Sequence, residues 1–216
     1  MIKKKRLSVA VFGGAFDPVH LGHLKTADFI QSNFNFDHFF FVPCKTTLLK
    51  DSAKASTAHR VNMLKLALDN YPDFTIDLRE IRRETPSYMV DTLQSYRSEY
   101  PKASLSLILG EDAFHKLTQW HQWEKIIQLA HLIVINRPGY HLTNISHGLK
   151  QLLKQYETKE KDQILTSKSG LIFRLNAGNH DISSTEIRRT VKSDQTSSIE
   201  VTEKVYDYIR KYKLYQ

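Results

Sequence analysis

Short apolar runs, rich in β-branched and aromatic residues, recur along the chain and are separated by longer, more polar segments. Runs of this length and composition are typical of buried β-strands. They predict six strands, which cover Leu7–Phe12, His38–Pro43, Phe74–Leu78, Leu105–Leu109, Leu132–Ile135 and Leu171–Leu175.

Apolar residues spaced three and four apart fill most of the segments between these strands, which is the pattern of helices with one buried face. One segment places Val61, Leu64, Ala67 and Leu68 on a single stripe. The predicted helices cover His23–Ile30, Thr57–Asn70, Tyr88–Tyr100, Trp123–Ala130, Ile145–Tyr156, Ser184–Val191 and Val201–Lys213. The charged stretch that follows Tyr156 is expected to be a loop.

Strands that alternate with helices favour a parallel sheet covered on both faces. The sequence therefore predicts an α/β fold, a Rossmann-like, doubly wound parallel sheet in a single domain that spans residues 1–216. Ligands bind such sheets at the carboxyl ends of the strands, so the loops after the strands are the first place to look for chemistry.

Composition supports a globular domain, since 41% of the 216 residues are hydrophobic. No run reaches the roughly 18 apolar residues that a membrane span requires, and no membrane partner is expected. The basic cluster Lys3–Arg6 begins a segment like a signal peptide, but Gly13-Gly14 and Asp17-Pro18 cut its apolar part short. The single Cys44 cannot form an internal disulfide, so a cytoplasmic location is expected.

The net charge of +8 indicates affinity for anions, either nucleotides or, less specifically, nucleic acid. Much of the basic charge lies at the N-terminus and within Lys150–Lys168, where a solvated surface is the simplest interpretation. Charge alone therefore leaves the kind of anion open.

The loop after the first predicted strand has the features of a phosphate site. Gly13-Gly14 allows the backbone to approach a ligand without a Cβ in the way, and a helix is predicted shortly afterwards. The N–H groups and the dipole at a helix N-terminus attract anions. His20 and His23 lie three residues apart and face the same way, so both can donate hydrogen bonds to charge that develops in a reaction.

Other interpretations of this loop are weaker. The chain has no G-x-G-x-x-G after the strand and no G-x-x-x-x-G-K-[ST], so neither a dinucleotide fold nor a Walker loop is supported. A zinc site is disfavoured because no cysteine or carboxylate stands nearby at ligand spacing. The remaining alternative is a chance glycine turn followed by two surface histidines.

Two later segments could also carry chemistry. Gly110-Glu111-Asp112 follows a predicted strand, and an acidic group there could accept hydrogen bonds from a ribose or help to hold hydrated magnesium, or simply cap a helix. Ser183-Ser184-Thr185 with Arg188 could form an anion pocket at a helix start, although a capping box of Ser183 and Glu186 explains the same residues. Taken alone, neither segment decides between these interpretations.

Taken together, these segments resemble a known superfamily. The loop from Gly13 to His23 reads G-G-A-F-D-P-V-H-L-G-H, which is similar to the G-G-x-F-D-P-x-H-x-G-H signature of the H-x-G-H nucleotidyltransferases. Residues 182–188, I-S-S-T-E-I-R, resemble the motif that grips the ATP phosphates in that superfamily. The resemblance implies that the C-terminal helices from about residue 183 complete an ATP site.

The middle of the chain resembles the bacterial nicotinate-nucleotide adenylyltransferases in particular. Pro86–Leu93 is similar to their P-S-Y-T-x-x-T-L segment, and Leu109–Asp112, Trp120 and Asn136–Gly139 match that family in order and spacing. Such enzymes join nicotinate mononucleotide to the AMP part of ATP, with Mg²⁺, giving deamido-NAD and pyrophosphate. The resemblance therefore implies an enzyme with two small-molecule substrates, ATP and nicotinate mononucleotide.

It also implies a set of site residues. The catalytic residues would be His20, His23, Lys50 and Arg188. ATP would be bound by Gly13, Gly14, Ala15, Phe16, His20, His23, Ser183, Ser184, Thr185 and Arg188. The nicotinate nucleotide would be bound by Met89, Gly110, Asp112, Trp120 and Arg137. No metal ligands are predicted from the protein itself, because Mg²⁺ would come with ATP.

Two departures from the family pattern affect the acceptor more than the reaction. Thr47–Lys50 replaces the usual P-P-H-[KR] and keeps only the basic residue, and Met89 replaces the threonine of S-Y-T. The nearest alternative is the same chemistry on another acceptor, which is nicotinamide mononucleotide, pantetheine phosphate or that of a cytidylyl transfer. The P-S-Y segment and Trp120 argue against the last two. Another alternative is an inactive basic relative that binds nucleic acid, although nucleic acid is not the expected partner. The chain could be a monomer or a homo-oligomer.

Overall fold

The computed structural model describes residues 5–46, 53–136, 145–176, 182–193 and 200–216. Within them, seven strands form one parallel sheet in the order β3-β2-β1-β4-β5-β7-β6. The strands are β1 (Ser8–Gly14), β2 (His38–Pro43), β3 (Phe74–Ile76), β4 (Ser104–Gly110), β5 (His131–Ile135), β6 (Glu157–Thr158) and β7 (Ile172–Leu175).

Helices connect the strands and close the chain. They are α1 (Leu21–Phe34), α2 (Thr57–Leu68), α3 (Arg79–Arg82), α4 (Met89–Glu99), α5 (Glu111–His115), α6 (Trp123–Leu129), α7 (His147–Tyr156), α8 (Lys161–Thr166), α9 (Ser184–Lys192) and α10 (Glu203–Lys211). A single 3₁₀ turn, Leu117–Gln119, lies between α5 and α6.

Strand β1 is the centre of the sheet, since it pairs with β2 on one side and β4 on the other. Its residues alternate between the two faces, so that Ala10 and Phe12 join one buried cluster while Val9 and Val11 join the other. Helices α1, α2, α9 and α10 cover the first face. Helices α4, α6 and α7 cover the second, which is the doubly wound arrangement that the sequence predicts.

This topology determines where a ligand can bind. The chain runs outward from β1 through β2 to β3 and then crosses back to β4 on the other side of β1. The carboxyl ends of β1 and β4 therefore lie side by side where the strand order reverses, the usual crevice for ligands in open α/β sheets. Gly13, Gly14 and Gly110 end these two strands.

The structure corrects one expectation and adds some short segments. The charged stretch after Tyr156 is not simply a loop, because it contains β6 and α8. Ile164 is fully buried in the first cluster and fixes α8, and the Ser104 hydroxyl donates a hydrogen bond to the Ile164 carbonyl. Two adjacent apolar residues, Ile164 and Leu165, in a charged segment give too short a pattern to predict a helix from.

Among the described residues, no helix is both long enough and apolar enough to cross a membrane.

One buried histidine makes the stability of the fold depend on pH. His131, at the start of β5, is fully buried, and its Nε2 lies 3.1 Å from the Ser167 carbonyl. Burial lowers the pKa of His131 from 6.5 to about 4. Between these values the unfolded chain binds a proton that the folded chain does not, so the free energy of unfolding falls as the pH falls from 6.5 towards 4.

We therefore predict that His131→Gln, which cannot titrate, weakens this pH dependence. The loss of unfolding free energy between pH 7 and pH 5 should be about 2 kcal/mol smaller in the variant than in the wild type. Urea denaturation at the two pH values measures it, with His121→Gln, at an exposed position, as the control. An unchanged pH dependence in His131→Gln would show that His131 titrates normally in the folded state.

Candidate active site

The glycine pair at the end of β1 is shaped by the residues that follow it. Phe16 has a left-handed backbone conformation (φ 49°). This conformation turns its ring back so that a Cβ on Gly14 would lie 3.0 to 3.2 Å from the ring atoms. The Gly14 carbonyl accepts a hydrogen bond from the Cys44 N–H at 2.9 Å, which links the turn to the end of β2. A side chain at Gly14 would therefore displace the ring that closes the turn.

The two histidines of the predicted site stack on each other. Their ring centroids are 3.7 Å apart, and the His20 backbone N–H lies 3.3 Å from His23 Nδ1. Because Nδ1 accepts this bond, a neutral His23 carries its proton on Nε2. His20 is only 3% exposed, and His23 lies with its ring edge-on to Phe16 at 5.1 Å. The rings are held by packing before any ligand arrives.

Gly22, between the histidines, is closely packed. A Cβ at this position would lie 3.0 Å from His20 Nδ1 and 3.2 Å from the Ile182 Cβ. Ile182 stands two residues before α9, so the absence of a side chain at Gly22 lets the N-terminal ends of α1 and α9 approach each other. Two helix N-termini therefore meet beside the glycine loop.

Helix α9 is hydrogen-bonded directly to that loop. The Ser184 hydroxyl donates to the Pro18 carbonyl at 3.0 Å. Arg188 donates to the Asp17 carbonyl at 2.7 Å and to the Thr185 hydroxyl at 3.1 Å. Arg188 is thus not simply a surface residue, because its guanidinium joins α9 to the turn before α1.

Ser183 has the capping role that the sequence left open. Its hydroxyl accepts a hydrogen bond from the Glu186 N–H at 3.1 Å, as an N-cap residue does. The hydroxyl is therefore already engaged, and its place in ATP binding stays a prediction.

The side chain of Asp17 ties the loop to two other parts of the chain. Its carboxylate accepts hydrogen bonds from the Lys54 N–H at 2.7 Å, the Ala55 N–H at 3.1 Å and the Tyr215 hydroxyl at 2.8 Å. Asp17 is 5% exposed, and three donors on a buried carboxylate offset much of the cost of removing it from water. The turn before α1 is consequently fixed on several sides.

Arg60 supports the other side of the same turn. Its guanidinium donates to the Ala15 carbonyl at 2.6 Å and to the Cys44 carbonyl at 2.7 Å, and the residue is 1% exposed. A planar guanidinium can hold two carbonyls from different segments at once. Arg60 therefore connects the glycine loop to the end of β2.

The residues predicted for the nicotinate side lie across the ends of β1 and β4. Met89 reaches over Gly13, since a Cβ on Gly13 would be 2.7 Å from the Met89 Cε. Asp112 folds back over Gly110, where a Cβ would be 2.7 Å from its Oδ1. Trp120 is partly buried in the same cluster as Met89.

The start of α4, which carries Met89, is held against its neighbours. Tyr88 packs on His121 at a centroid distance of 4.3 Å with the rings tilted by 31°, which brings this start close to the turn that contains Trp120. The Ser87 hydroxyl accepts a hydrogen bond from the Lys45 N–H at 3.0 Å, just beyond β2.

A buried carboxylate on α3 is hydrogen-bonded to α4. Glu80 is 1% exposed, and the Thr92 hydroxyl donates to it at 2.7 Å. Burial raises the pKa of Glu80, against the hydrogen bonds from Thr92 and Ser87 that lower it. This contact fixes α4 relative to α3.

Two predicted site residues, Lys50 and Arg137, lie outside the described residues. The described part of the chain contains no group of three or more histidine, cysteine or carboxylate residues that could hold a metal ion.

Sequence reasoning missed Arg60 and the carboxylate bonds of Asp17. Arg60 lies on the buried stripe of α2 with Leu64 and Ala67, and a basic residue in an apolar stripe was the signal that could have identified it. Asp17 was interpreted only as part of a turn. Tyr215, which contacts it from the other end of the chain, gives no local signal.

Known proteins are similar in sequence to this chain over most of its length. The family model "Cytidylyltransferase-like" matches residues 11–190. A relative from Legionella pneumophila (strain Paris), named "probable nicotinate-nucleotide adenylyltransferase", is 51% identical over 209 residues, which covers 97% of this chain and 99% of the relative. A relative of the same name from Pseudoalteromonas atlantica is 36% identical over 98% of this chain and 96% of the relative.

Solved structures share the fold. Nicotinic acid mononucleotide adenylyltransferase from Plasmodium falciparum, complexed with APC, superposes with a TM-score of 0.72 at 22% identity, covering 98% of each chain. The same enzyme complexed with NaAD gives a TM-score of 0.70, with 96% of this chain and 97% of that chain covered. Given the identity and coverage of the sequence relatives, this chain belongs to the nicotinate-nucleotide adenylyltransferase family, within the cytidylyltransferase-like proteins.

Proposed function

We propose that this protein transfers the adenylyl group of ATP to nicotinate mononucleotide, giving deamido-NAD and pyrophosphate. The observation that supports this most directly is the meeting of two helix N-termini at one glycine loop. Helix α1 brings the stacked His20 and His23, and α9 brings Arg188, which is hydrogen-bonded to the Asp17 carbonyl. This arrangement suits a polyphosphate, because N–H groups, imidazoles and a guanidinium all favour negative charge.

In the proposed reaction, a phosphate oxygen of nicotinate mononucleotide attacks the α-phosphorus of ATP in line. A new P–O bond forms as the bond from the α-phosphorus to the bridging oxygen breaks, and pyrophosphate leaves with that electron pair. The acceptor phosphate is already anionic at neutral pH, so no protein nucleophile is needed. The protein contributes position and charge stabilisation.

We assign one role to four residues, which is to stabilise the negative charge on the transferring and leaving phosphates. These residues are His20, His23, Arg188 and Lys50. Both histidines begin α1, so their hydrogen bonds and the helix dipole act on the same oxygens. Gly13, Gly14, Ala15 and Phe16 would approach ATP through the backbone, while Ser183, Ser184 and Thr185 would present the start of α9. Lys50 precedes Lys54 and Ala55, whose N–H groups bind Asp17.

Mg²⁺, which the family resemblance implies, fits this site as a companion of the ATP phosphates. The Asp17 carboxylate already accepts protein hydrogen bonds on both oxygens, and Mg²⁺ is commonly held by substrate phosphates and water. When bound, it would neutralise part of the charge on the triphosphate.

The nicotinate nucleotide would lie on the α4 side of Gly13, against Met89, Trp120, Gly110, Asp112 and Arg137. Among the described contacts, Tyr88, the N-cap residue of α4, makes no side-chain cap, and its ring packs on His121. The first-turn N–H groups of α4 are therefore suited to donate hydrogen bonds to the nicotinate carboxylate. A backbone site of this kind tolerates Met89 in place of a threonine.

We predict that His20→Ala and His23→Ala each lower turnover by about a hundredfold or more, the usual effect of losing one transition-state donor. Pyrophosphate release with saturating MgATP and nicotinate mononucleotide measures this. His38→Ala is the control, because His38 is exposed and begins β2, at the amino ends of the strands and away from the proposed site.

Because His20 is buried, thermal unfolding should be measured on each variant so that turnover is expressed per folded enzyme. Near-native turnover in either folded variant would refute the catalytic assignment.

We also predict a preference for the acid over the amide. Nicotinamide lacks the carboxylate, so it forfeits a charge-assisted hydrogen bond worth roughly 1.5–3 kcal/mol. The specificity constant for nicotinate mononucleotide should exceed that for nicotinamide mononucleotide by at least about tenfold. Steady-state kinetics with both acceptors decides this, and equal constants would remove the substrate assignment while leaving adenylyl transfer in place.

A further inference from the structure

The C-terminal end of the chain returns to the glycine loop. Helix α10 packs on the first face of the sheet through Val205 and Ile209. Beyond the helix, Lys213 and Tyr215 both have left-handed backbone conformations, with φ of 49° and 67°. Side-chain-bearing residues rarely adopt this conformation, so two such residues so close together indicate that the surrounding contacts impose the turn.

The turn places Tyr215 beside Asp17 of the glycine loop. Its ring is half-buried, and its hydroxyl donates a hydrogen bond to Asp17 Oδ1 at 2.8 Å. Burial, together with the neighbouring Asp17 carboxylate, raises the pKa of Tyr215, so the phenol keeps its proton and remains a donor at any ordinary assay pH.

Asp17 is the residue through which Tyr215 can influence the site. Its carboxylate accepts the Lys54 and Ala55 N–H groups, and its backbone carbonyl accepts the Arg188 guanidinium. A single residue therefore joins the turn before α1, the segment before α2 and the helix that carries Arg188.

The hydroxyl also matters for charge. Asp17 is a buried carboxylate beside the loop proposed to bind a triphosphate, and an anion there opposes the binding of a second anion. Each donor on the carboxylate stabilises its negative charge, weakens the repulsion that this charge exerts on a second anion, and holds the side chain in one orientation. Tyr215 supplies the only side-chain donor to this carboxylate among the described contacts, since the other two donors are backbone N–H groups.

We propose that Tyr215 is a positioning residue for the ATP side of the reaction, acting through its hydroxyl on Asp17. This inference rests on the proposed adenylyl transfer. The C-terminal tyrosine then keeps the Asp17 turn and the Arg188 guanidinium in the arrangement that receives the triphosphate, while the acceptor side, across Gly13, does not depend on it.

The test is Tyr215→Phe, which removes one oxygen and keeps the ring. We expect the KM for ATP to rise about tenfold, with the KM for nicotinate mononucleotide unchanged within twofold. Calorimetric titration with a non-hydrolysable ATP analogue should show a matching loss of affinity.

The chain offers a matched control in Tyr208→Phe. Tyr208 lies on α10, and its hydroxyl also anchors the C-terminal region, through His59 Nδ1 at 2.9 Å and Asn62 Nδ2 at 3.1 Å. Among the described hydrogen bonds, none joins it to Asp17. Tyr208→Phe should change both KM values by less than twofold, even where it lowers the melting temperature.

A truncated variant that ends at Leu214 lacks both the hydroxyl and the ring of Tyr215. Comparing it with Tyr215→Phe separates the contribution of the hydroxyl from that of the ring. The proposal predicts that this truncation raises the KM for ATP about as much as Tyr215→Phe does. If Tyr215→Phe is neutral, or raises both KM values alike, the proposal is overturned and Tyr215 is a general anchor. A wild-type protein that forms no deamido-NAD would instead defeat the proposed function, so the two failures are distinguishable.

Discussion

A buried carboxylate holds the loop on which the rest of the site depends. Asp17 lies in the turn between β1 and α1, and donors from the segment before α2 and from the C-terminal end converge on it. Removing any donor would leave a buried charge less well solvated, which is costly, so these distant segments are fixed in relation to one another. The geometry of the turn is consequently set by long-range contacts as well as by its own sequence.

Arg60 complements this anion with a buried cation on the other side of the same turn. It binds the carbonyls of Ala15 and Cys44, which gives the strongly curved backbone after Gly14 defined partners. A loop held in this way is organised before ATP arrives, so little free energy is spent on ordering it during the reaction. Arg60 and Asp17 thus hold the loop of the proposed site while being almost inaccessible to solvent.

The parts of the molecule that the sequence predicted well have strong local patterns. Strand β1, the glycine loop and the start of α1 were predictable because a short apolar run, a glycine pair and a helical stripe follow one another within about thirty residues. Helix α8 was not, because Ile164 is an isolated buried residue in a charged stretch. The contact of Tyr215 with Asp17 joins residues 198 positions apart and follows from tertiary packing, which no local pattern encodes. Lys50 and Arg137 stay predictions from the family resemblance.

The central position of β1 explains how two nucleotides could be brought together. Helix α1 follows β1 on one face of the sheet, while α4 precedes β4 on the other face, so the proposed donor and acceptor sites begin on opposite sides. They meet over the end of β1, where Met89 from α4 reaches Gly13. In-line transfer requires the two phosphates to be within bonding approach, and a side chain at Gly13 would occupy the place where the two halves of the site meet. In the proposed reaction, the glycine pair therefore acts as much by letting the acceptor side close against the donor side as by exposing backbone N–H groups to phosphate.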